Sequence, residues 1–220
     1  ARGRADPLTG LPDRRAFLYA AGRSHEPGVV VVADVDRFRE VNRRLGQAAG
    51  DALLARLGAA LRGALRAQDP VGRLGADSLA ARLHLPQEEE LPAILTRLSD
   101  RLAAAAAEEA GAAAPRLSFG AALLPAGPGG LDVALRHAEI ALAEAKAEGG
   151  GRVRVFAPAM ESRLARRLRI EAALETGLDE GRFRLAFQPL VSPIDRAARG
   201  YEALLRLEDV DGAPIPPAEF

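Results

Sequence analysis

The sequence lacks cysteine entirely and has no excess of charge of either sign over its 220 residues. Without cysteine, disulfides and thiolate metal sites are excluded, and a reducing cytosol is compatible with the chain. A formal net charge of zero argues against a general binder of nucleic acid or of a membrane surface. No apolar run approaches the ~18 residues of a membrane span. We therefore expect a cytoplasmic segment that contacts neither nucleic acid nor membrane.

Lysine is nearly absent as well, because Lys146 is the only lysine among 30 basic residues. An arginine-rich composition is typical of GC-rich coding, and a single retained lysine is therefore a candidate functional residue. Hydrophobic residues make up 48% of the chain, which is enough for a core. The length predicts one or two domains. Since the chain does not begin with methionine and ends inside a predicted domain, we expect it to be a piece of a longer protein.

Hydrophobic periodicity predicts strands that alternate with helices. The β-branched run Gly28–Val35 is typical of a buried central strand, and residues 50–66 have the spacing of an amphipathic helix. Residues 79–85 alternate, which predicts a half-buried strand with Ala80, Arg82 and His84 on the open face. This order indicates an α/β (α+β) fold with helices packed on a sheet. The remaining predictions are helices at 13–21, 91–98 and 131–145, and strands at 116–124 and 152–156.

Several short motifs occur in a fixed order. D-P-L-T-G-L-P-D-R-R occupies residues 6–15, and D-V-D-R-F-R follows the apolar run at 34–39. Asn42, then Gly50 and Asp51, and finally R-L-G-A-D-S-L at 73–79 complete the series. In order and spacing these motifs resemble the GGDEF family, the diguanylate cyclases that make cyclic di-GMP from two GTP. The resemblance implies a GGDEF domain over residues 1–157, with a five-stranded sheet flanked by helices, as in adenylyl cyclases.

The resemblance also implies a set of metal and nucleotide ligands. Joining two GTP molecules demands positioning and charge neutralisation, usually by divalent metal ions with oxygen ligands. The implied cofactor is Mg²⁺ (or Mn²⁺). Its implied ligands are Asp34, Asp77 and the carbonyl of Val35. Guanine recognition is implied for Asn42 and Asp51, phosphate binding for the backbone around Phe38 and Arg39, and neutralisation of the terminal phosphates for Lys146.

The signature itself, Gly75-Ala76-Asp77-Ser78-Leu79, departs from the family pattern at its second, fourth and fifth positions. A Cβ at Ala76 costs about 1–2 kcal/mol if the turn needs a left-handed residue, and it takes space from GTP. Ser78 replaces a glutamate and cannot act as a carboxylate ligand. The three glycines before Arg152 shift the arginine that follows the family lysine, so that we expect it to miss the phosphates. We expect no intact catalytic set and little cyclase turnover.

A product-binding site is implied one motif earlier in the chain. The family often carries Arg-x-x-Asp ahead of the signature, where cyclic di-GMP binds and inhibits, and Arg66 and Asp69 match it. Arg97 corresponds to a second arginine of that site by ungapped counting. Arginine can clamp phosphate and guanine edges in a bidentate manner, and aspartate can accept from guanine N–H groups. The alternative is that these arginines are only solvated cations near a helix C-terminus, which favours positive charge, and the sequence leaves it open.

The end of the chain resembles a second family. Residues 158–180 predict a connecting helix, and two strands follow at 182–191 and 199–207. Residues 181–220 resemble the start of an EAL domain, a cyclic di-GMP phosphodiesterase with a TIM-like barrel. The resemblance implies a metal ligand at Glu202 and substrate contacts at Gln188, Glu202, Leu204 and Arg206. Only the first strands of the barrel are present, so we expect no hydrolysis by this fragment.

Three functions remain open from the sequence. The favoured one is a degenerate GGDEF domain that binds GTP, cyclic di-GMP or both and regulates a C-terminal EAL phosphodiesterase. The second is an active cyclase that works as a homodimer, and the third is a dimerisation scaffold that binds no nucleotide. A further alternative is that Asp34 and Asp36 are merely solvated residues at a strand end. We expect a sensor domain upstream in the full-length protein, which could also carry a membrane anchor.

Overall fold

The computed structural model describes residues 4–85, 87–127 and 129–220. The chain divides into two compact units, Ala1–Met160 and Glu161–Phe220. The division lies inside a helix, Pro158–Gly177, that begins where the sequence predicted a connecting helix and ends three residues earlier than expected. Among the described residues, no helix combines the length and the apolarity that a membrane crossing requires.

The first unit contains five helices and five strands within its described residues. The order follows the predicted alternation, with one short helix and one short strand in addition that the sequence did not predict. Two single 3₁₀ turns, Glu88–Glu90 and Gly111–Ala113, flank the fourth helix. The elements are α1 (Arg14–Ala21), β1 (Gly28–Val35), α2 (Phe38–Leu45), α3 (Gln47–Ala64), β2 (Val71–Arg73), β3 (Ser78–His84), α4 (Leu91–Ala110), β4 (Leu117–Leu124), α5 (Gly130–Ala147) and β5 (Val153–Val155).

The five strands form one sheet in the order β2-β3-β1-β4-β5. The central strand β1 is antiparallel to both β3 and β4, whereas β5 runs parallel to β4. All eight residues of β1 are buried, as the unbroken β-branched run predicted. The predicted fold class, a five-stranded sheet flanked by helices, is confirmed.

Helices cover both faces of this sheet. On one face Val29 and Val31 pack in a core with leucines of α3 and α4. On the other face Val30 and Val32 join Phe17 of α1 and the apolar side of α5. Alternate side chains of a strand point to opposite faces of the sheet. Because both faces are covered by helices, every position of β1 before Asp34 must be apolar.

The prediction that β3 is half-buried is wrong. Ala80 is 1% exposed and Arg82 is 4% exposed, because the face on which they lie is covered by the second helical layer. The Arg82 guanidinium donates to the carbonyl of Glu26 at 2.7 Å and to that of Ser24 at 3.4 Å. Burial lowers the pKa of Arg82, although the nearby carboxylates of Glu26 and Asp69 favour its charge.

Local signals explain where α1 and α5 begin or end. The Asp13 carboxylate accepts from the Ala16 amide at 2.7 Å and caps the start of α1. At the end of α5, the amides of Gly149 and Gly150 donate to the carbonyls of Lys146 and Ala145. The three residues Gly149, Gly150 and Gly151 have φ of 102°, 71° and 65°, a left-handed run that glycine adopts without a steric penalty.

The second unit contains the rest of α6 (Pro158–Gly177) and a small antiparallel sheet in the order β6-β7-β8. The strands are β6 (Phe183–Val191), β7 (Ala198–Glu208) and β8 (Pro214–Ile215), in agreement with the two predicted strands. Its core of buried residues consists of Ala173, Leu207 and Ile215. Most of β6 is exposed within this unit. These residues do not form a barrel, and the TIM-like EAL fold is not supported.

Candidate nucleotide-binding site

The predicted metal ligand Asp34 lies near the end of β1, directly opposite Ser78 on β3 and Ser118 on β4. It is buried, with 5% of its surface exposed. One carboxylate oxygen accepts from the Ser78 hydroxyl at 2.7 Å, and the other accepts from the Lys146 ammonium at 2.5 Å. The structure therefore joins Asp34, Ser78 and Lys146, three positions that the sequence analysis singled out separately.

Asp36, two residues further on, anchors the glycine loop that follows Lys146. Its carboxylate accepts from the Ser118 hydroxyl at 2.7 Å and from the Gly151 amide at 2.7 Å. A Cβ on Gly150 would lie 2.5 Å from the same carboxylate. Glycine is thus required there for close approach, and Asp36 is a structural anchor with two defined donors, not a solvated turn residue.

The turn between β2 and β3 is held by Arg73, a role that sequence reasoning did not find. Its guanidinium donates to the carbonyls of Gly75 and Ala76 at 3.0 and 2.6 Å and to both oxygens of Asp6 at 2.9 and 3.0 Å. Of the non-glycine residues described in the first unit, only Arg37 has a positive φ, and Gly75 is not among the positive-φ glycines. The left-handed strain expected at Ala76 is therefore absent, and its Cβ acts only through the space it occupies.

Asp77, the other predicted metal ligand, is partly buried directly before β3. Burial raises the pKa of Asp77, and the negative charge of Asp34 raises it further, while Lys146 and Arg39 act in the opposite direction. The main-chain carbonyl of Val35 belongs to a residue paired with Leu117 in the sheet. Asp34, Asp77 and Lys146 thus share one electrostatic environment.

These oxygen ligands are of the chemical type that the predicted metal ion needs, but they are too few. The resemblance implies a divalent metal ion, and carboxylates are the oxygen ligands that Mg²⁺ prefers. Within the described residues, however, no group of three or more acidic or histidine side chains could hold a metal ion. Each oxygen of Asp34 already accepts a hydrogen bond, and the position of the family glutamate, Ser78, supplies one of the donors. The residues present do not fit the metal site that the resemblance implies.

The two predicted guanine ligands lie where α2 meets α3. Asn42 is half-buried on α2, and its amide oxygen is buried without a hydrogen-bond partner among the described residues. A Cβ on Gly50 would come within 1.8 Å of that oxygen, so glycine makes room for the amide. Asp51, half-buried on α3, follows Gly50 directly. The half-buried carboxylate of Asp51 can accept from the N–H groups of guanine.

A cavity of about 450 Å³ adjoins Lys146. Four cationic side chains and two carboxylates line it, so its charge balance favours an anion. The first amides of α2, at Phe38 and Arg39, have no acceptor within the helix because it begins there. The Phe38 side chain is in the core, which leaves only its backbone for a ligand. The charged lining residues are Arg37, Arg44, Arg116, Lys146, Asp36 and Glu40.

Arg152 does not line this cavity. Its guanidinium pairs with the Glu148 carboxylate at 2.9 Å, and the Arg154 guanidinium contacts the same carboxylate. That Arg152 misses the phosphates because of the three glycines before it stays a prediction.

The predicted product site is divided between a surface arginine and a buried aspartate. Arg66 is exposed, whereas Asp69 is 6% exposed and accepts from the Arg66 amide at 3.0 Å. A cavity of about 500 Å³ lies beside this turn. Arg97 is exposed on α4 and is not among its lining residues, so the structure does not join it to the other two. Sequence reasoning missed the arginines that do line the cavity, because nothing distinguishes them in an arginine-rich chain: Arg23, Arg62 and Arg82.

The predicted EAL residues lie on one hairpin. Gln188 on β6 is directly opposite Glu202 on β7, and both are exposed within the second unit. Leu204 and Arg206 follow at two-residue intervals, so their side chains leave the same face as Glu202. The hairpin therefore presents the four predicted residues together.

Comparison with known proteins identifies the first unit. Residues 4–152 match the model of the family described as "Diguanylate cyclase, GGDEF domain". The GGDEF domain of PA1120 (TpbB or YfiN) from Pseudomonas aeruginosa superimposes with a TM-score of 0.64 at 31% identity, over 74% of this chain and 99% of that one. A microbial GGDEF domain described in an interaction with cyclic di-GMP gives a TM-score of 0.57 at 30% identity, over 68% and 94%.

The match also extends through the second unit. Cyclic di-GMP phosphodiesterase PdeR of Escherichia coli K12 is 29% identical over 98% of this chain and 33% of its own length. The chain spans about a third or less of the length of the full-length curated relatives it matches. This chain belongs to the GGDEF family of cyclic di-GMP signalling proteins.

Proposed function

We propose that this GGDEF domain is a receptor for GTP, cyclic di-GMP or both, and that it regulates another domain instead of making cyclic di-GMP. The carrying observation is the contact of Asp34 with both Lys146 and Ser78. That contact occupies the carboxylate on which cyclase chemistry depends, whereas the guanine side keeps Asn42 and Asp51. A site that retains base recognition but has no unoccupied Asp34 oxygen for a metal ion is suited to binding without turnover.

Cyclase turnover would require attack of a 3′-hydroxyl on an α-phosphate, with pyrophosphate leaving. Catalysis of phosphoryl transfer consists mostly of positioning and of neutralising the charge on phosphate oxygens. In this chain the hairpin supplies one carboxylate, Asp77, and a hydroxyl that already donates to Asp34. Lys146 is paired with Asp34 and Arg152 with Glu148, so the protein's own carboxylates compete for both cations with the negative charge that develops on the phosphate oxygens in the transition state.

Cyclic di-GMP is the second candidate ligand, and its proposed site is the turn that carries Arg66 and Asp69. The exposed guanidinium of Arg66 is available to phosphate, and the adjoining cavity of about 500 Å³ is lined by further arginines. The buried Asp69 holds the turn through the Arg66 amide, and this bond preorganises the arginine. The relative described in an interaction with cyclic di-GMP supports this choice of ligand.

We further propose that residues 181–220 begin an EAL phosphodiesterase domain that the GGDEF domain regulates. The hairpin that presents Gln188, Glu202, Leu204 and Arg206 on one face supports this assignment, as does the similarity to PdeR along the chain. The helix Pro158–Gly177 is the covalent route by which ligand binding would be transmitted. A full-length protein of this kind would carry its sensor upstream.

Incubation of the chain with GTP and Mg²⁺, followed by chromatography of the nucleotides, separates the receptor from its enzymatic rival. The proposal expects GTP to remain unchanged over hours at micromolar protein. Accumulation of cyclic di-GMP would instead establish an active cyclase, which would need two domains facing each other in a homodimer. If neither GTP nor cyclic di-GMP changes the melting temperature of the chain, the dimerisation scaffold is favoured.

A further inference from the structure

The only lysine of the chain lies in the position where a metal ion would be expected. The Lys146 ammonium is 2.5 Å from one oxygen of Asp34, and the Asp34 side chain is 6% exposed. Hard carboxylate oxygens are the ligands of divalent cations in such sites. An ammonium at this distance neutralises the same carboxylate with a single positive charge that belongs to the protein.

The second oxygen of Asp34 is also occupied, by a donor. The Ser78 hydroxyl donates to it at 2.7 Å, at the signature position where the resemblance implies a glutamate. A glutamate there would add negative charge and accept bonds, which attracts a divalent ion. A serine removes that charge and adds a proton donor directed at Asp34. Serine in place of glutamate at position 78 therefore weakens the attraction of the site for a metal ion and adds a hydrogen bond between Ser78 and Asp34.

Lys146 is also fixed in place by the loop that follows it. The Gly149 amide donates to the Lys146 carbonyl at 3.1 Å. Asp36 then holds the loop through the Gly151 amide and the Ser118 hydroxyl, both at 2.7 Å. Because the end of α5 is tied in this way to β4 and to the residue that follows β1, the backbone of Lys146 is positioned near Asp34 by bonds that do not involve a nucleotide.

We infer that Lys146 takes the place of the divalent cation at Asp34, so that this domain holds no metal ion there. A metal would have to displace the ammonium and the hydroxyl together, and Asp77 would be the only other carboxylate within the hairpin. If the domain binds GTP as proposed, Lys146 is also the cation nearest to the bound nucleotide. Only this consequence rests on the proposed function, and the absence of a metal ion at Asp34 does not.

Titration of the whole chain with Mn²⁺ in the absence of nucleotide tests the inference, with electron paramagnetic resonance reporting the loss of free aqueous Mn²⁺. The wild type is expected to bind no more Mn²⁺ than Asp34→Asn does. Lys146→Met uncovers the carboxylate, and we expect Mn²⁺ affinity to rise about 10- to 100-fold, the range over which neighbours of metal ligands act. Lys146→Arg, which keeps the charge, is the matched control and should remain at the wild-type level.

Two results would overturn the inference: Mn²⁺ binding by the wild type that Asp34→Asn abolishes, or no gain of binding in Lys146→Met. Lys146 is 39% exposed, so methionine should be accommodated, and circular dichroism checks the fold. Ser78→Glu provides a second route, because a third carboxylate should also raise Mn²⁺ affinity, and a lack of gain there would count against the role of Ser78. No nucleotide is present, so a failure of the proposed receptor function would not affect the result.

Discussion

Arg73 is the residue that connects the opening motif of the chain with its altered signature. Its guanidinium bonds Asp6 through both carboxylate oxygens and also holds the turn at Gly75 and Ala76. The side chains of Arg73 and Asp6 are 15% and 18% exposed, so this pair is shielded from solvent more than a surface ion pair. The geometry of the signature hairpin therefore depends on a contact 67 residues away in sequence.

We expect Arg73→Met to lower the free energy of unfolding by about 1.5–3 kcal/mol, the usual worth of hydrogen bonds to charged groups. Urea denaturation followed by circular dichroism measures it. Arg97→Met, at an exposed position of α4, should change stability by less than about 0.5 kcal/mol. Equal effects of the two substitutions would show that the Arg73 contacts are not stabilising.

Asp6 gives the same contact a pH dependence. Burial alone would raise the pKa of Asp6, but hydrogen bonds from Thr9 and the Arg73 pair outweigh it and lower the pKa below 3.8. A lowered folded-state pKa means that the stabilisation is complete above the unfolded pKa, about 4, and is lost as pH falls through the folded value. Asp6→Asn should therefore be less stable than wild type at pH 7, and the difference should shrink at pH 3. A difference that is constant between the two pH values, measured by urea midpoints, would contradict this assignment.

The functional residues were largely predictable one at a time, but their contacts were not. Asp34, Asp77 and Lys146 were named from motif spacing, yet Asp34 and Lys146 are 112 residues apart and their pairing depends on how α5 packs on the sheet. The sequence predicted left-handed backbone strain at Ala76, because alanine replaces the family glycine there. The turn avoids the left-handed region, so the substitution is tolerated by the backbone.

At the scale of elements, the packing of α5 on β4 depends on one glycine. A Cβ on Gly120 would lie 2.0 Å from the carbonyl of Ala138 and 2.3 Å from the amide of Leu142. Both are backbone atoms of α5, so neither can rotate away. The helix α5 approaches β4 more closely than a residue with a Cβ at position 120 would allow. This close approach brings Lys146 towards β1.

We expect Gly120→Ala to destabilise the fold by about 3 kcal/mol, at the upper end of what overpacking costs. The matched control is Gly63→Ala on the exposed side of α3, where a Cβ meets nothing within 4 Å. There alanine should stabilise by about 0.5–1 kcal/mol, because glycine is a poor helix former. Thermal denaturation of both variants checks the pair, and a neutral Gly120→Ala would contradict the close approach.

Long periodic elements were predictable, whereas the short helix α2 and the burial of β3 were not. The buried run of β1 and the leucine spacing of α3 and α5 predicted their elements to within a few residues. α2 is only eight residues long and buries two of them, Phe38 and Val41, which gives too little pattern to separate it from a loop. β3 was predicted half-buried because residues 79–85 alternate, which placed Ala80, Arg82 and His84 on an open face. Two backbone carbonyls satisfy that buried guanidinium, which no periodicity reveals.

At the scale of the whole molecule, the two units differ in how much core they contain. The first unit has two large clusters of buried residues, one on each face of its sheet. The second has a small cluster and exposes Leu185, Phe187 and Leu190 on its strands. The predicted functions divide in the same way, with nucleotide binding assigned to the first unit and the start of a phosphodiesterase to the second.

The most direct test of the receptor function is titration calorimetry of GTP and of cyclic di-GMP into the chain, its Asn42→Ala variant and its Arg66→Ala variant. We expect GTP to bind the wild type, and Asn42→Ala to weaken GTP at least about fivefold through loss of base recognition. Arg66→Ala should leave GTP unchanged and weaken cyclic di-GMP. No heat with either nucleotide, or GTP binding that is indifferent to Asn42→Ala, would contradict the account.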